Sequence, residues 1–295
     1  MLRLLVGLFC CCLPGLACAQ ADGIPFNLDQ PTLISSLPAE LEEISGLSMA
    51  HDRDDELLAV QDEEGKVYRI NAAGQVLWGI NFWKDGDYEG VEAVGEDIWV
   101  SKNTGTLYQI TRAGQPDQHV EKYNTRLNEE NDVEGLAYDA ARNRLLLACK
   151  RDAKDDGNDK DGRYIFAFDL ESKSLIEDPV YSIRRKQVNQ FLNQMEACPL
   201  RQYLLEFFSE EEKYDLAPSA LAIQPGTGNL YLVSSHGKVL MVLSPEGRLL
   251  NVARLPKEFF PQPEGLAFAK DGSLYISTEA RGKARARIFR LPLIR

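Results

Sequence analysis

The chain has 295 residues, of which 45 are acidic and 33 basic, for a formal net charge of −12. That balance argues against nucleic acid and anionic lipid as partners, and is compatible with cation binding or plain solubility. The length suffices for one domain with an ample core.

Residues 1–19 read as a signal peptide. Met1-Leu2-Arg3 supplies the positive start, Leu4 to Leu16 the apolar stretch and Ala17-Cys18-Ala19 an A-x-A cleavage site. Cleavage after Ala19 sends the chain out of the cytoplasm. An uncleaved anchor is the alternative, although the apolar run is short for a full span. Lipidation at Cys18 is opposed by Gly15, which stands where a lipoprotein signal has Leu. No other segment is apolar enough to cross a membrane, so membrane association is expected only through the N-terminal segment. Residues 20–30 form a linker, and residues 31–295 a single domain expected to be monomeric.

A lone β-rich run, Thr32 to Leu37, precedes a phrase that recurs along the rest of the chain. Glu43-Ile44-Ser45-Gly46-Leu47-Ser48 returns as Glu89-Gly90-Val91-Glu92-Ala93 and Glu134-Gly135-Leu136-Ala137-Tyr138. It returns again as Ser219-Ala220-Leu221-Ala222-Ile223 and Glu264-Gly265-Leu266-Ala267-Phe268. The spacing is about 45 residues, with one double-length gap, which signals a repeat architecture. After each phrase come turn-bounded β-rich runs, such as Leu57 to Gln61, Lys66 to Asn71 and Val76 to Phe82. Four strands per repeat is the content of a propeller blade. The double gap shows one set of strands (Arg144 to Lys150, Tyr164 to Leu170, Pro179 to Ile183), and then a helical period over Lys186 to Glu212 interrupted at Pro199. The fold predicted is all-β: a five-bladed β-propeller of four-stranded antiparallel blades, with one helical insertion (184–216) after the third blade. The last repeat lacks a fourth strand, so Thr32 to Leu37 is expected to fill it and close the ring.

Propeller topology gathers the beginning of each inner strand on one face. The residue before each small one reads Ser45, Glu89, Glu134, Ser219 and Glu264 around the axis. Three glutamates at one mouth suggest a hard cation such as calcium, because clustered carboxylates repel and desolvate one another. The competing reading has each Glu accepting backbone N–H bonds, with Lys102 and Lys150 neutralising it. The ends of the second strands add Asp62, Lys102, Lys150, Arg151, His236 and Glu279 as candidate ligand-binding residues. An acidic loop, Asp152 to Gly162, lacks EF-hand spacing, since Phe168 falls where the last carboxylate is required. Arg281, Lys283, Arg285 and Arg287 form a basic group, read as charge protecting an edge strand rather than as an anion site.

Cys10, Cys11, Cys12 and Cys18 lie in the leader, leaving Cys149 and Cys198. These two either bridge and pin the insertion or are two buried small hydrophobes. No phosphate loop, His-Glu-x-x-His, Cys-x-x-Cys pair or nucleophile elbow occurs. Catalysis, if any, is metal-assisted, with a Glu or His236 as base.

The Glu-Gly-Leu-Ala phrases, the leader and the insertion after Pro179-Val180-Tyr181-Ser182-Ile183 resemble the SdiA-regulated (YjiK/CarP-type) β-propellers of Gram-negative bacteria, over about Thr32 to Arg295. The resemblance implies a periplasmic or inner-membrane-anchored propeller, linked in some members to calcium response. Three functions follow as expectations: a calcium-binding or calcium-responsive scaffold that presents a face to a periplasmic protein or small anionic ligand; a calcium-dependent hydrolase of phytase or lactonase type; and a metal-free interaction module.

Overall fold

The computed structural model describes residues 24–151, 160–282 and 284–294. The leader, most of the acidic loop (152–159) and Lys283 lie outside the described residues. Strand β1 (Thr32–Ser36) is followed by one 3-10 turn (Ala39–Leu41) and then by five blades. Blade one is β2 (Ile44–Met49), β3 (Glu56–Gln61), β4 (Lys66–Asn71) and β5 (Val76–Asn81); blade two is β6 (Tyr88–Val94), β7 (Asp97–Lys102), β8 (Leu107–Thr111) and β9 (His119–Tyr123). Blade three is β10 (Val133–Asp139), β11 (Arg144–Cys149) and β12 (Gly162–Asp169), with an outer edge split between β13 (Ser174–Leu175) and β14 (Tyr181–Arg184). Helices α1 (Arg185–Gln194) and α2 (Pro199–Phe207) follow. Pro199 opens α2, where its missing N–H costs nothing. Blade four is β15 (Pro218–Ile223), β16 (Leu230–Ser234), β17 (Val239–Leu243) and β18 (Leu249–Arg254). Blade five is β19 (Pro263–Phe268), β20 (Leu274–Thr278) and β21 (Arg287–Leu291), completed by β1.

The clasp is antiparallel, running from Thr32↔Arg290 to Ser36↔Arg287 with a bulge between Leu33 and Ser35. It joins the first strand to the last blade, so that blade gains the fourth strand it lacks and keeps no open inner edge.

Five apolar clusters fill the five spaces between blades. Leu58, Val60 and Val67 meet Val91, Val100 and Tyr108 between blades one and two. Trp99 and Leu107 meet Leu145, Leu147 and Phe166 between two and three. Leu146 and Ile165 meet Leu221, Leu232 and Met241 between three and four, and the helices add Val188, Leu192, Leu204 and Phe208 there. Central strands are therefore buried on both faces: β11 sends Leu145 and Leu147 towards blade two and Leu146 towards blade four, by simple alternation.

That alternation decides the cysteines. Cys149 is a free, buried thiol on the side of blade three that faces blade two. Cys198 caps the N-terminus of α2, on the side facing blade four. The Cys149–Cys198 bridge is therefore not formed; the body of blade three stands between the two. Two arginines hold the insertion instead. Arg163 donates to the carbonyls of Leu216 (2.6 Å) and Tyr214 (2.7 Å), and Arg185 to those of Ser209 and Glu212. Tyr203 reaches the carbonyl of Gly237 (3.1 Å) and carries the Arg254 guanidinium on its ring, which seats α2 beside the β16–β17 turn of blade four.

Candidate functional site at the axial mouth

Every inner strand breaks register at the same place. The pairing of inner and second strand slips between Ile44 and Gly46, Tyr88 and Gly90, Val133 and Gly135, Pro218 and Ala220, and Pro263 and Gly265. The skipped residues are Ser45, Glu89, Glu134, Ser219 and Glu264. Each is the extra residue of a β-bulge, a device that re-aims a side chain. All five line one axial cavity of about 10 Å3, near the lower limit for a single water. The ring inferred from the repeat phrase is thus real, and it is narrow. Leu47, Val91, Leu136, Leu221 and Leu266, two residues further along each strand, close the axis beneath it.

The two serines are committed locally. Ser219 Oγ donates to the carbonyl of Pro263 in the next blade (2.6 Å), and Ser45 Oγ to that of Glu43 (3.2 Å). The three glutamates are buried and strongly perturbed. Burial, with repulsion from Glu134 and a shared hydrogen bond to Asp87, pushes Glu89 far above the usual carboxylate range. Burial also raises Glu134, against the pull of Lys150, whose Nζ lies 2.9 Å from Glu134 Oε1. Glu264 is pushed up to about 8 by burial and by Glu134. Burial draws Lys150 down, but Glu134 more than offsets it, and the net shift is upward. Lys150 pairs with one member of the ring, Glu134. Lys102 does not: it runs along the backbone of Gly86 and pairs with no carboxylate among the described residues.

A second ring stands above the first, and its register corrects the sequence reading. One backbone bond per blade ties the residue two before each bulged one to the end of the second strand. These are Asp62 N to Glu43 O, Asn103 N to Asp87 O, Lys150 N to Asp132 O, Ser235 N to Ala217 O and Glu279 N to Gln262 O. The equivalent rim positions are therefore Asp62, Asn103, Lys150, Ser235 and Glu279. Lys102 belongs one residue lower, opposite Tyr88 in the ladder. Arg151 is mostly exposed and pairs with Asp132 (2.9 Å), and His236 points outward to Asp215 (3.1 Å). Neither reaches the ring carboxylates, so His236 is badly placed as a base there.

The rim is polarised. Blades five, one and two contribute Glu279, Glu43, Asp62 and Asp87, whereas blade three contributes two cation–carboxylate pairs, Lys150 with Glu134 and Arg151 with Asp132. Asp62 is pushed up to about 7 by burial and by repulsion from Glu43 and Glu279. Glu279, also raised by burial and Glu43, accepts a hydrogen bond from Gln262 Nε2. Asp87 accepts one from Asn103 Nδ2. Two buried rim oxygens, Asp62 Oδ1 and Asn103 Oδ1, have no hydrogen-bond partner. The repeat phrase does not single out Glu43, Asp87 and Asp132 as rim residues. Their signal is positional, since each stands three residues before the small residue of the phrase. Among the described residues, no three His, Cys, Asp or Glu side chains form a ready-made metal-ligand set. Two of the basic residues are structural: Arg281 donates to the carbonyl of Pro261 (3.2 Å) and Arg287 to that of Phe259 (3.1 Å), which stitches the crossover between blades four and five.

Lys150→Met removes the cation paired with Glu134 from a cluster of buried acids. The expected cost is about 2 kcal/mol at neutral pH, between the values for exposed and for buried pairs, because Lys150 is partly exposed. Denaturant melts check it: Glu134→Gln in the same chain should recover most of the loss, and additive losses would mean the pair is not coupled.

Solved structures similar to this chain include a glutaminyl cyclase from Myxococcus xanthus, with 12% identity and TM-score 0.54, over 88% of this chain and 95% of that one. A gluconolactonase from Xanthomonas campestris aligns at 13% identity and TM-score 0.52, over 85% of this chain and 72% of that one. A PQQ-bound aldose sugar dehydrogenase from Streptomyces coelicolor gives 12% and 0.50, over 89% and 98%. At such identities the likeness is one of fold alone. The family model described as SdiA-regulated matches residues 32–155 and 204–281, which takes in the clasp strand and all five inner strands. The chain belongs to the SdiA-regulated family.

Proposed function

We propose that this propeller is exported to the periplasm and binds calcium at the acidic side of its upper mouth. The loaded rim, with the adjoining helical insertion, is then presented to a periplasmic protein or a small anionic ligand. The observation that carries this reading is the pair of buried, unpartnered oxygens, Asp62 Oδ1 and Asn103 Oδ1. Asp87 is tied to both, by a hydrogen bond to Asn103 and by repulsion of Asp62. Asp62, Asp87, Glu89 and Asn103 offer only hard oxygen donors, the chemistry that suits calcium rather than zinc or copper. The ion assembles this set rather than entering a finished cage. Its charge relieves the repulsion that raises Asp62 and Glu89, and across the mouth Lys150 and Arg151 keep their own carboxylates, Glu134 and Asp132.

The test is the thermal midpoint of the protein across a calcium titration, with magnesium and EDTA controls. A hundredfold excess over Kd adds about 2.7 kcal/mol to the native state. The expected result is a saturable, calcium-specific rise that is lost in Asp62→Asn and Glu89→Gln and kept in Lys102→Met. No rise at millimolar calcium, or a rise that survives both acid substitutions, sinks the proposal.

A further inference from the structure

The opposite end of the axis holds a second cavity, of about 230 Å3, beyond the apolar ring that closes the upper mouth. Two residues after each small one, the inner strands read Ser48, Glu92, Ala137, Ala222 and Ala267. Of these, Ala222 and Ala267 place methyl groups in the cavity, while neighbouring blades one and two place a hydroxyl and a carboxylate there. Ser48 is 3% exposed, lines the cavity, and its Oγ has no hydrogen-bond partner. Glu92 lines the same cavity, and no cation among the described residues pairs with it. The next residues along the strands, Met49, Tyr138, Ile223 and Phe268, form half-buried apolar walls towards the opening. The two basic residues at the rim do not fill the role of partner. Lys270 is turned to Asp54 (2.6 Å), and His51 is exposed.

We propose that this lower cavity is a binding site for a small organic cation, a primary ammonium on a short apolar body. The ammonium donates to the Glu92 carboxylate and the Ser48 hydroxyl, and the body lies against Tyr138, Phe268, Met49 and Ile223. An ammonium has three donors and no acceptor, which matches one acceptor-only carboxylate and one hydroxyl free to accept. Aromatic edges and faces beside the carboxylate favour a cation further. An anion would meet Glu92, and a neutral alcohol would leave the carboxylate without a countercharge. The apolar walls separate this site from one for a bare metal ion, which would gain nothing from them. Burial raises Glu92 to about 8, and the neighbouring backbone N–H groups of Tyr138 and Ala93 draw it back. A bound cation lowers it in turn, so uptake of the ammonium is coupled to release of a proton.

The probe is n-butylammonium chloride, titrated into the full-length protein and followed by saturation-transfer NMR and calorimetry, beside n-butanol, butyrate and potassium chloride. Saturable binding of the ammonium alone is expected. Glu92→Gln, close to isosteric and without the charge, should weaken it roughly tenfold or more. Ser48→Ala should weaken it severalfold, and Lys102→Met at the other mouth should leave it unchanged. Absence of saturable binding to the unaltered protein overturns the proposal, as does equal binding of butanol, or affinity that is indifferent to both Glu92→Gln and Ser48→Ala. The calcium titration addresses the opposite mouth, so either proposal can fail while the other stands.

Discussion

Gly90→Ala is expected to lower the thermal midpoint by roughly 5–10 °C, and Gly135→Ala, the same change one blade later, by no more than about 2 °C. Neither effect involves backbone conformation; the reason is the distance between adjacent inner strands. A methyl group at Gly90 would stand 2.4 Å from Leu136 Cβ and 2.6 Å from Ser101 Oγ. The serine can rotate away, but Leu136 Cβ is fixed to the inner strand of the next blade, so the strands must part. At Gly135 the nearest atoms are Leu221 Cγ at 3.0 Å and Ala148 Cβ at 3.1 Å, which a small adjustment relieves. Blade four already carries Ala220 at the equivalent place. Gly265, whose added methyl would meet Leu47 Cβ at 2.7 Å, should behave like Gly90. Overpacking of this kind typically costs 1–3 kcal/mol, at about 2–4 °C each for a domain of this size. Circular dichroism melts of the two alanine variants decide it: if Gly90→Ala melts with the parent, the close approach of inner strands does not constrain the ring.

The same geometry explains what could be read in the sequence. The bulge, the small residue and the apolar residue after it answer three demands at one point: an acid or serine aimed at the axis, a close strand contact and a closed core. The demands repeat in every blade, so the letters repeat, and the five-bladed fold follows from them. The clasp was legible because a blade without a fourth strand and a strand without a blade have one mutual solution. The rim was not legible by counting. From the small residue to the rim the chain runs through turns of different lengths in each blade, from the tight turn at Gly95 to the longer one through Arg53 and Asp54. Only the ladder itself aligns Asn103, rather than Lys102, with Asp62 and Lys150. Half of the outer edge of blade three was legible, since the run Pro179 to Ile183 overlaps β14; β13 escaped because it is two residues long, too short for any period to register. Cys149 was decidable in principle, since alternation along β11 puts it with Leu145 and Leu147 and away from the insertion.

Stability should fall as pH rises from about 5.5 to about 8.5, by roughly 5–10 °C in midpoint. The sign comes from the raised carboxyls. Asp62 at about 7, Glu264 at about 8 and Glu89 above both hold their protons in the folded state through pH values at which an unfolded chain, with carboxyls near 4, has lost them. The folded state then binds more protons than the unfolded one, and stability decreases with pH across that window. The contribution is fully present below about pH 4 and is lost as pH passes each folded value. Groups shifted the other way do not mask it. Asp52, Glu64 and Asp271 are lowered, so what they contribute is lost only in acid, below the window. Lys150 is raised, and its share persists throughout. Each pH unit over which one such group stays protonated in the folded state and ionised in the unfolded one is worth about 1.4 kcal/mol, so even two or three such unit steps among the three groups account for a fall of this size. Glu89→Gln and Glu264→Gln should each flatten the profile and raise the midpoint at the alkaline end, because an amide carries no charge to desolvate. A cation at the rim does the work of those protons, so calcium should stabilise the protein more at the alkaline end than at the acid end. A midpoint that is flat or rising between these pH values would mean that the ring carboxylates titrate like exposed ones, and the electrostatic case for a cation at the upper mouth would fall with them.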